Sequence, residues 1–470
     1  MPDLTTQSLS QLAAMIRARQ VSPVEVVEAH LRRMAELNPR LNAIVTLAPD
    51  AMDNAQHAEA AVMRGAELGP LHGVPVTVKD TIETAGLRTT SGSRVRAEYV
   101  PEIDAPAVAQ LRAAGAIVIA KTNVAEMAAS YDTENPVFGH ANNPYDPSRT
   151  SGGSSGGEAA AIASCMSPGG IGSDLMGSIR VPAHFCGVVG LKPTPTRIAC
   201  EGHIPRSLGP LWQGAAIGPI ARTVEDVALL FRVLDGLELD ETNSGTSTDG
   251  RAKRIAWHTF DRVCPVTDET RQAVQRVAAT LAASGADVSE ETPPGVEGGQ
   301  ELWTKLFAGT ALEQMREEYA GRESEAGPLV RHLLDSDSPP QTAAELAAVW
   351  AERDRVRDVL LKWMENANLI VAPVGAAPAF PHGARKIEIG NESVSIFRAF
   401  SYAQTYNVFG LPAISIPAGQ TSEGLPIGVQ IIGRPFAEYE VLAAAALVER
   451  NLGGWKLPAL LPSNDSGIRL

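Results

Sequence analysis

Thr150-Ser151-Gly152-Gly153-Ser154-Ser155-Gly156-Gly157 is the most unusual stretch of the chain. Its small residues let backbone approach a ligand closely and supply several hydroxyls. Composition alone fits a flexible Gly/Ser linker equally well. Position argues against a linker: the stretch lies between apolar segments and runs straight into the alanine-rich, helix-like 158–164. A loop that opens into a helix N-terminus is a natural anion site. The same residues match G-x-S-x-G twice, centred on Ser154 and Ser155, which is the signature of a nucleophile elbow. An elbow needs a strand immediately before the serine, and what precedes is Asn142-Asn143-Pro144-Tyr145-Asp146-Pro147, a loop sequence with two prolines. The elbow context therefore fails, although His203, His258, His332 and His382 leave a base formally available.

Two further segments carry chemistry-bearing side chains. In Gly172-Ser173-Asp174-Leu175-Met176-Gly177-Ser178-Ile179-Arg180-Val181-Pro182 a serine follows a turn-prone run, flanked by an acid and a base. Read structurally, it is a Gly-rich turn with an Asp174/Arg180 surface ion pair. In Leu71-His72-Gly73-Val74-Pro75-Val76-Thr77-Val78-Lys79-Asp80 an apolar strand delivers a lysine at its end. A lysine leaving a strand is usually just solvated, so this signal is weak alone.

Working outward, Ser22-Pro23-Val24-Glu25 provides an N-cap, a proline at the first helical position and an acid that reaches back to the cap. An amphipathic helix follows, with Val27, Leu31 and Met34 on one face. Strand-like runs stand at 74–78, 116–120, 369–374, 413–416 and 427–432, several apolar on both faces. That pattern suits an α/β protein whose sheet is covered by helices on both faces. Residues 241–360, polar and then helix-like, read as a variable peripheral insertion between a 60–240 core and a 361–470 part that returns to the sheet, all within one domain spanning 1–470.

Taken together, the three segments resemble the amidase signature family, which includes fatty acid amide hydrolases, bacterial amidases and the A subunit of glutamyl-tRNA amidotransferase. The similarity extends from the Ser22-Pro23 helix start to Gly424-Leu425-Pro426-Ile427-Gly428-Val429-Gln430, with the Gly-Gly-Ser-Ser-Gly-Gly core intact at 152–157. The resemblance implies the α/β amidase signature fold, a large mixed, mostly parallel twisted sheet covered by helices on both faces. By it Ser178 attacks the carbonyl, Ser154 (in a cis peptide) passes its proton to Lys79, and the proton returns to the leaving nitrogen. The oxyanion hole falls on the N–H groups of Leu175, Met176, Gly177 and Ser178. Met176 stands where most members have glycine, and a positive φ there would strain it. Ser155, Asp174 and Arg180 take supporting places. Met127, Ala128, Ala129 and Tyr131 fall where relatives place substrate-lining residues; fatty acid amide hydrolase carries bulkier groups at the two alanines, so extra room is expected.

The bulk numbers bound the partners. A 470-residue chain of net charge −14 lacks the basic bias of a nucleic-acid binder, and the partner that the resemblance implies is a small-molecule amide. The same triad serves amides and often esters and carbamates. Cys165, Cys186, Cys200 and Cys264 form no C-x-x-C pair, and the nine histidines form no H-E-x-x-H, so neither metal nor cofactor is expected. With no signal peptide and no run near ~18 apolar residues, the expectation is a cytoplasmic protein with reduced thiols and no integral membrane association. A homodimer is compatible with these numbers. Two alternatives remain. One is the tRNA-dependent amidotransferase subunit, whose Asn-Leu-Ser-Arg-Tyr-Asp-Gly stretch has no counterpart among residues 300–400. The other is a non-catalytic binding protein on the same fold, which would predict loss of a catalytic residue, yet all three are present.

Overall fold

The computed structural model describes residues 3–236, 254–336 and 341–459. Its strands are β1 Ile44–Leu47, β2 Pro75–Lys79, β3 Ile117–Thr122, β4 Gly169–Asp174, β5 Val189–Lys192, β6 Ala216–Ala221 and β7 Arg254–Trp257. They continue with β8 Asp287–Glu290, β9 Leu369–Pro373, β10 Lys386–Ile389, β11 Glu392–Ser395, β12 Ala413–Gln420 and β13 Pro426–Gly433. Eleven of them form one sheet in the order β1-β3-β2-β4-β6-β5-β12-β13-β9-β7-β8, while β10 and β11 pair as a separate hairpin. The sheet is mixed, as expected, but not mostly parallel. The pairings β3/β2, β2/β4, β9/β7 and β7/β8 are parallel, and the other six are antiparallel. Short connections cause this in part: β12 and β13 are joined by the tight Thr421–Leu425 turn, which only an antiparallel pair allows.

Helices cover both faces. Pro106–Ala113, Val224–Asp235, Asp268–Ala283 and Glu438–Leu452 form one layer, and Gly156–Ala163 with Arg180–Cys186 lies on the other. β4 separates the layers residue by residue. A Cβ at Gly169 would meet Leu9 and Leu230, whereas one at Gly170 would lie 2.2 Å from Glu158 Oε1. Only glycine lets the Gly156–Ala163 helix sit this close to the sheet.

The first long helix runs Pro23–Leu41, with the capping box closed by the Ser22 N–H donating to Glu25 Oε2 at 2.8 Å. Val26, Val27, Met34, Leu37 and Leu41 bury its apolar face. It ends at Asn42 in the left-handed conformation.

The peripheral reading of 241–360 needs correction. β7 and β8 extend the main sheet beside β9, and Asp268–Ala283 packs on β9, β12 and β13. Four-residue strands with Arg254, Asp287 and Glu290 exposed at their ends carry too little apolar pattern to be told from loop. Residues 241–253 and 337–340 lie outside the described residues.

Candidate active site

Strand β2 is buried on both faces and carries Lys79 to its C-terminal end with no exposure to water. Lys79 Nζ lies 2.7 Å from Ser154 Oγ, 2.9 Å from Ser173 Oγ and 3.5 Å from the Ser173 carbonyl oxygen. Burial pulls this amine down from its usual alkaline value to about 7, against the raising effect of the Asp174 and Glu158 carboxylates. Glu158 is itself buried and raised to about 7 by that burial, with hydroxyl donors from Thr77 and Thr122.

Ser154 sits in a cis peptide after Gly153, and Ser155 leads directly into the Gly156–Ala163 helix. No strand enters the serine pair, so the geometry departs from a nucleophile elbow. The loop is close-packed rather than linker-like: a Cβ at Gly153 would lie 2.3 Å from the Ser130 carbonyl oxygen, and one at Gly157 would lie 2.4 Å from Asn123 N. Thr133 Oγ1 donates to the Gly152 carbonyl at 2.7 Å and accepts the Gly156 N–H at 3.1 Å, bracing both ends of the stretch.

Ser178 comes from the loop after β4. The Ser155 N–H donates to the Ser178 carbonyl at 3.2 Å, holding the two serine-bearing loops together, and Ser178 is 4% exposed. Asp174 and Arg180 are not a surface pair; both side chains are fully buried, joined by two bonds of 3.0 Å. Arg180 also donates to Gln430, Asn407 and the Ala403 carbonyl, so it links the Ser178 loop to β13 and to the Ser401–Val408 helix. The guanidinium and its bonds hold the Asp174 carboxyl well below the usual range, in spite of its burial.

The positive φ that the loop requires falls on Gly177, at 110°, and not on Met176, so the methionine is unstrained. The Gly177 N–H donates to Asp174 Oδ1 at 2.7 Å, which removes it from the expected oxyanion set. A buried carboxylate draws in the nearest donors, and the Ile179 N–H also turns to it. The N–H groups of Leu175, Met176 and Ser178 meet no protein acceptor among the described residues. The Leu175 and Met176 carbonyls are occupied instead, by Trp303 Nε1 at 2.8 Å and the Tyr131 hydroxyl at 2.6 Å.

The four expected lining residues divide. Tyr131 packs on Phe400, with ring centroids 4.8 Å apart, beside the Met176 carbonyl. Met127 joins a separate cluster with Met315, Tyr319, Ala326 and Val330, and Ala129 packs against that cluster. Met127 and Ala128 both have positive φ, which makes this segment a tight turn. Sequence reasoning missed Trp303, which comes from 241–360 and donates to the Leu175 carbonyl, and Phe307 in the same cluster as Met176; it named Ser173 only within the loop motif and His203 only as a formal elbow base, and placed neither beside Lys79. Asp132, His140 and His382 form the one group of potential metal-ligating side chains among the described residues. It is not part of the Lys79–Ser154 arrangement.

Comparison with known proteins fits this geometry. The family model described as Amidase matches residues 25–442. The chain belongs to the amidase signature family. It is 34% identical to the A subunit of glutamyl-tRNA(Gln) amidotransferase from Thermus thermophilus, over 93% of this chain and 96% of that protein. Among solved structures it is similar to 6-aminohexanoate cyclic dimer hydrolase complexed with substrate, at 29% identity and TM-score 0.83, covering 98% of this chain and 100% of the other. It is also similar to a bacterial aryl acylamidase, at 26% identity and TM-score 0.83, covering 94% and 96%. The family assignment makes this chain a hydrolase of amide C–N bonds. Among the described residues no helix is long and apolar enough to cross a membrane.

Proposed function

We propose that this protein hydrolyses a small or medium-sized neutral amide through an acyl-enzyme on Ser178, with Ser154 as proton relay and Lys79 as base. The observation that carries the reading is the 2.7 Å contact between Ser154 Oγ and a fully buried Lys79 amine whose affinity for protons is lowered to near neutrality. Ser178 Oγ bonds to the carbonyl carbon as its proton passes to Ser154, and the Ser154 proton passes to Lys79. The N–H groups of Leu175, Met176 and Ser178 receive the negative charge that develops on oxygen. Collapse breaks the C–N bond as the proton returns along the same route to the leaving nitrogen. Water then repeats the sequence on the acyl-enzyme and releases the acid. Esters and carbamates would enter the same path. The aromatic wall of Tyr131, Phe400, Trp303 and Phe307 near the loop favours an apolar substrate.

The reading also places the protein in the cytoplasm, consistent with four buried, unpaired cysteines. A panel of aryl and acyl amides, scored by liberated amine without tRNA, ATP or a second subunit, tests it directly. Ser178→Ala should remove fluorophosphonate labelling and all turnover, while Ser155→Ala is milder. Chelator should leave the rate unchanged. If turnover persists in Ser178→Ala but labelling is lost in Ser154→Ala or Ser155→Ala, the mechanism is wrong.

Similarity to amidotransferase A subunits over nearly the whole chain favours a second reading, an ammonia-supplying component of a tRNA-dependent complex. The acidic balance and the missing Asn-Leu-Ser-Arg-Tyr-Asp-Gly stretch weigh against it. Activity that appeared only with a partner chain, tRNA and ATP would move the assignment there.

A further inference from the structure

His203 belongs to none of the three motifs, yet it lies one hydrogen bond from the base's partner Ser173. Its backbone is tied to the segment that follows Lys79: His203 forms a β-bridge with Ile82, and the Ile204 N–H donates to the Thr81 carbonyl at 2.8 Å. The ring is therefore carried with the strand end that delivers the amine. His203 Nδ1 is 2.7 Å from the Pro205 carbonyl oxygen, and Nε2 is 2.7 Å from Ser173 Oγ.

The donors and acceptors along this chain of contacts have one consistent arrangement. A carbonyl oxygen only accepts, so Nδ1 carries the proton. Burial lowers the imidazole to about 4, so the ring is neutral and Nε2 is a bare acceptor. Ser173 must then donate its single proton to Nε2, which leaves Ser173 Oγ able only to accept from Lys79. The Ser173 carbonyl oxygen, 3.5 Å from Nζ, can likewise only accept. A neutral amine has two protons and one lone pair. Both protons point to Ser173, and the lone pair is left for the Ser154 hydroxyl.

We infer that His203 is a positioning residue: by taking the Ser173 proton, it leaves Ser154 as the one hydroxyl that can donate to Lys79. Without an acceptor at this place, the Ser173 hydroxyl is free to turn and donate to the amine, competing for the lone pair that the relay needs. This rests on the Lys79–Ser154 relay proposed above.

The test uses the full-length protein and four variants: His203→Leu, His203→Gln, Ser173→Ala and the His203→Leu/Ser173→Ala double. His203→Leu should lower kcat for an amide on the order of tenfold while KM stays within about twofold. His203→Gln, whose amide oxygen can accept from Ser173 while its NH2 donates to Pro205, should recover most of that loss. In the Ser173→Ala background no competing hydroxyl remains, so adding His203→Leu should cost nothing further. An equal His203→Leu loss in both backgrounds, no loss in either, or a Gln variant no better than Leu at matched melting temperature would overturn the inference. Should His203→Leu fail to fold, the comparison of His203→Gln with wild type, with and without Ser173→Ala, decides in its place. A kcat loss in His203→Gln as large in the Ser173→Ala background as with Ser173 intact counts against the role. Wild-type protein that shows neither labelling nor amide turnover would instead sink the proposed function.

Discussion

Lys79 is the last residue of β2 and Lys121 the last but one of the neighbouring parallel strand β3, one register position apart, and both are completely buried. Burial lowers both amines, Lys79 to about 7 and Lys121 to about 8. Their partners differ in what they can give back. Lys121 donates to the Ile82 carbonyl and to the hydroxyls of Thr84 and Thr89. Each of those hydroxyls donates its own proton to a carbonyl, of Ile82 and Leu87 respectively. Three acceptors face three ammonium protons, and the Asp80 carboxylate adds opposite charge. Lys121 is built to stay protonated. Lys79 meets the hydroxyls of Ser154 and Ser173, and with the Ser173 proton taken by His203 as inferred above, only Ser154 has one to offer. Burial thus makes a lysine's proton easier to lose, but the neighbours decide whether the bare amine has anything to do.

The largest contrast should come from replacing each lysine by methionine. Lys79→Met should cost about a thousandfold in amide turnover, the scale of a lost general base, with a folded protein. An ester with a good leaving group needs no proton from the network, so its turnover should fall less. Lys121→Met should do the reverse: stability should drop by about 1–3 kcal/mol because the buried Ile82, Thr84 and Thr89 oxygens lose their donor and Asp80 loses a nearby opposite charge, while fluorophosphonate labelling per folded molecule persists. Urea denaturation and labelling on the same samples measure both. Small, equal losses on amide and ester for Lys79→Met would mean that this lysine only packs, and the contrast would collapse.

The pH dependence follows from the same difference and is smaller. In the proposed relay Lys79 must be unprotonated to accept from Ser154, so kcat/KM should rise from acid and level off near and above pH 7. The stability effect runs in the same direction. The folded chain gives up this proton at about 7 and the unfolded chain near 10.5, so across that window the unfolded state holds more protons. Wild type should therefore gain stability relative to Lys79→Met as pH rises from about 7 towards 10.5. Denaturation midpoints that move the other way would mean Lys79 is an ammonium in the folded protein.

The apolar strands were legible because their patterns are strong: the runs at 74–78, 369–374 and 427–432 are β2, β9 and β13 to within a residue or two. β4 and β6 were not legible. Gly-Gly-Ile-Gly-Ser-Asp and Ala-Ile-Gly-Pro-Ile-Ala have little strand propensity, and their glycines reflect close approach that only the folded structure reveals, such as Leu191 O lying 2.1 Å from a Cβ at Gly218. Around the site, motif order pointed to Lys79, Ser154 and Ser178, whereas Ser173 and His203 depend on contacts across 94 and 30 residues of sequence. Asp174 and Arg180 looked like a surface pair because nothing local signals that Gln430 and Asn407 complete their shell.

The smallest effect on rate is expected at Met176, where the same question of packing against chemistry arises inside the Ser178 loop. Gly177 and Met176 are adjacent, and only the glycine has a conformation that excludes side chains: φ is 110°, and a Cβ would lie 2.6 Å from the Ala403 Cβ. Gly177→Ala should distort the loop and suppress turnover, with backbone strain of about 1–3 kcal/mol added to the steric clash. Met176 is 7% exposed and packs in the aromatic cluster, while the group that the proposed oxyanion site uses is the N–H that every residue but proline supplies. Met176→Gly should thus leave amide kcat within about threefold of wild type, although the lost packing lowers stability by about 2–4 kcal/mol. Steady-state rates on folded protein, normalised by fluorophosphonate titration of Ser178, separate the two quantities. A kcat loss in Met176→Gly as large as in Gly177→Ala would show that the methionine side chain itself shapes the oxyanion site, and the separation of backbone from packing roles in this loop would fail.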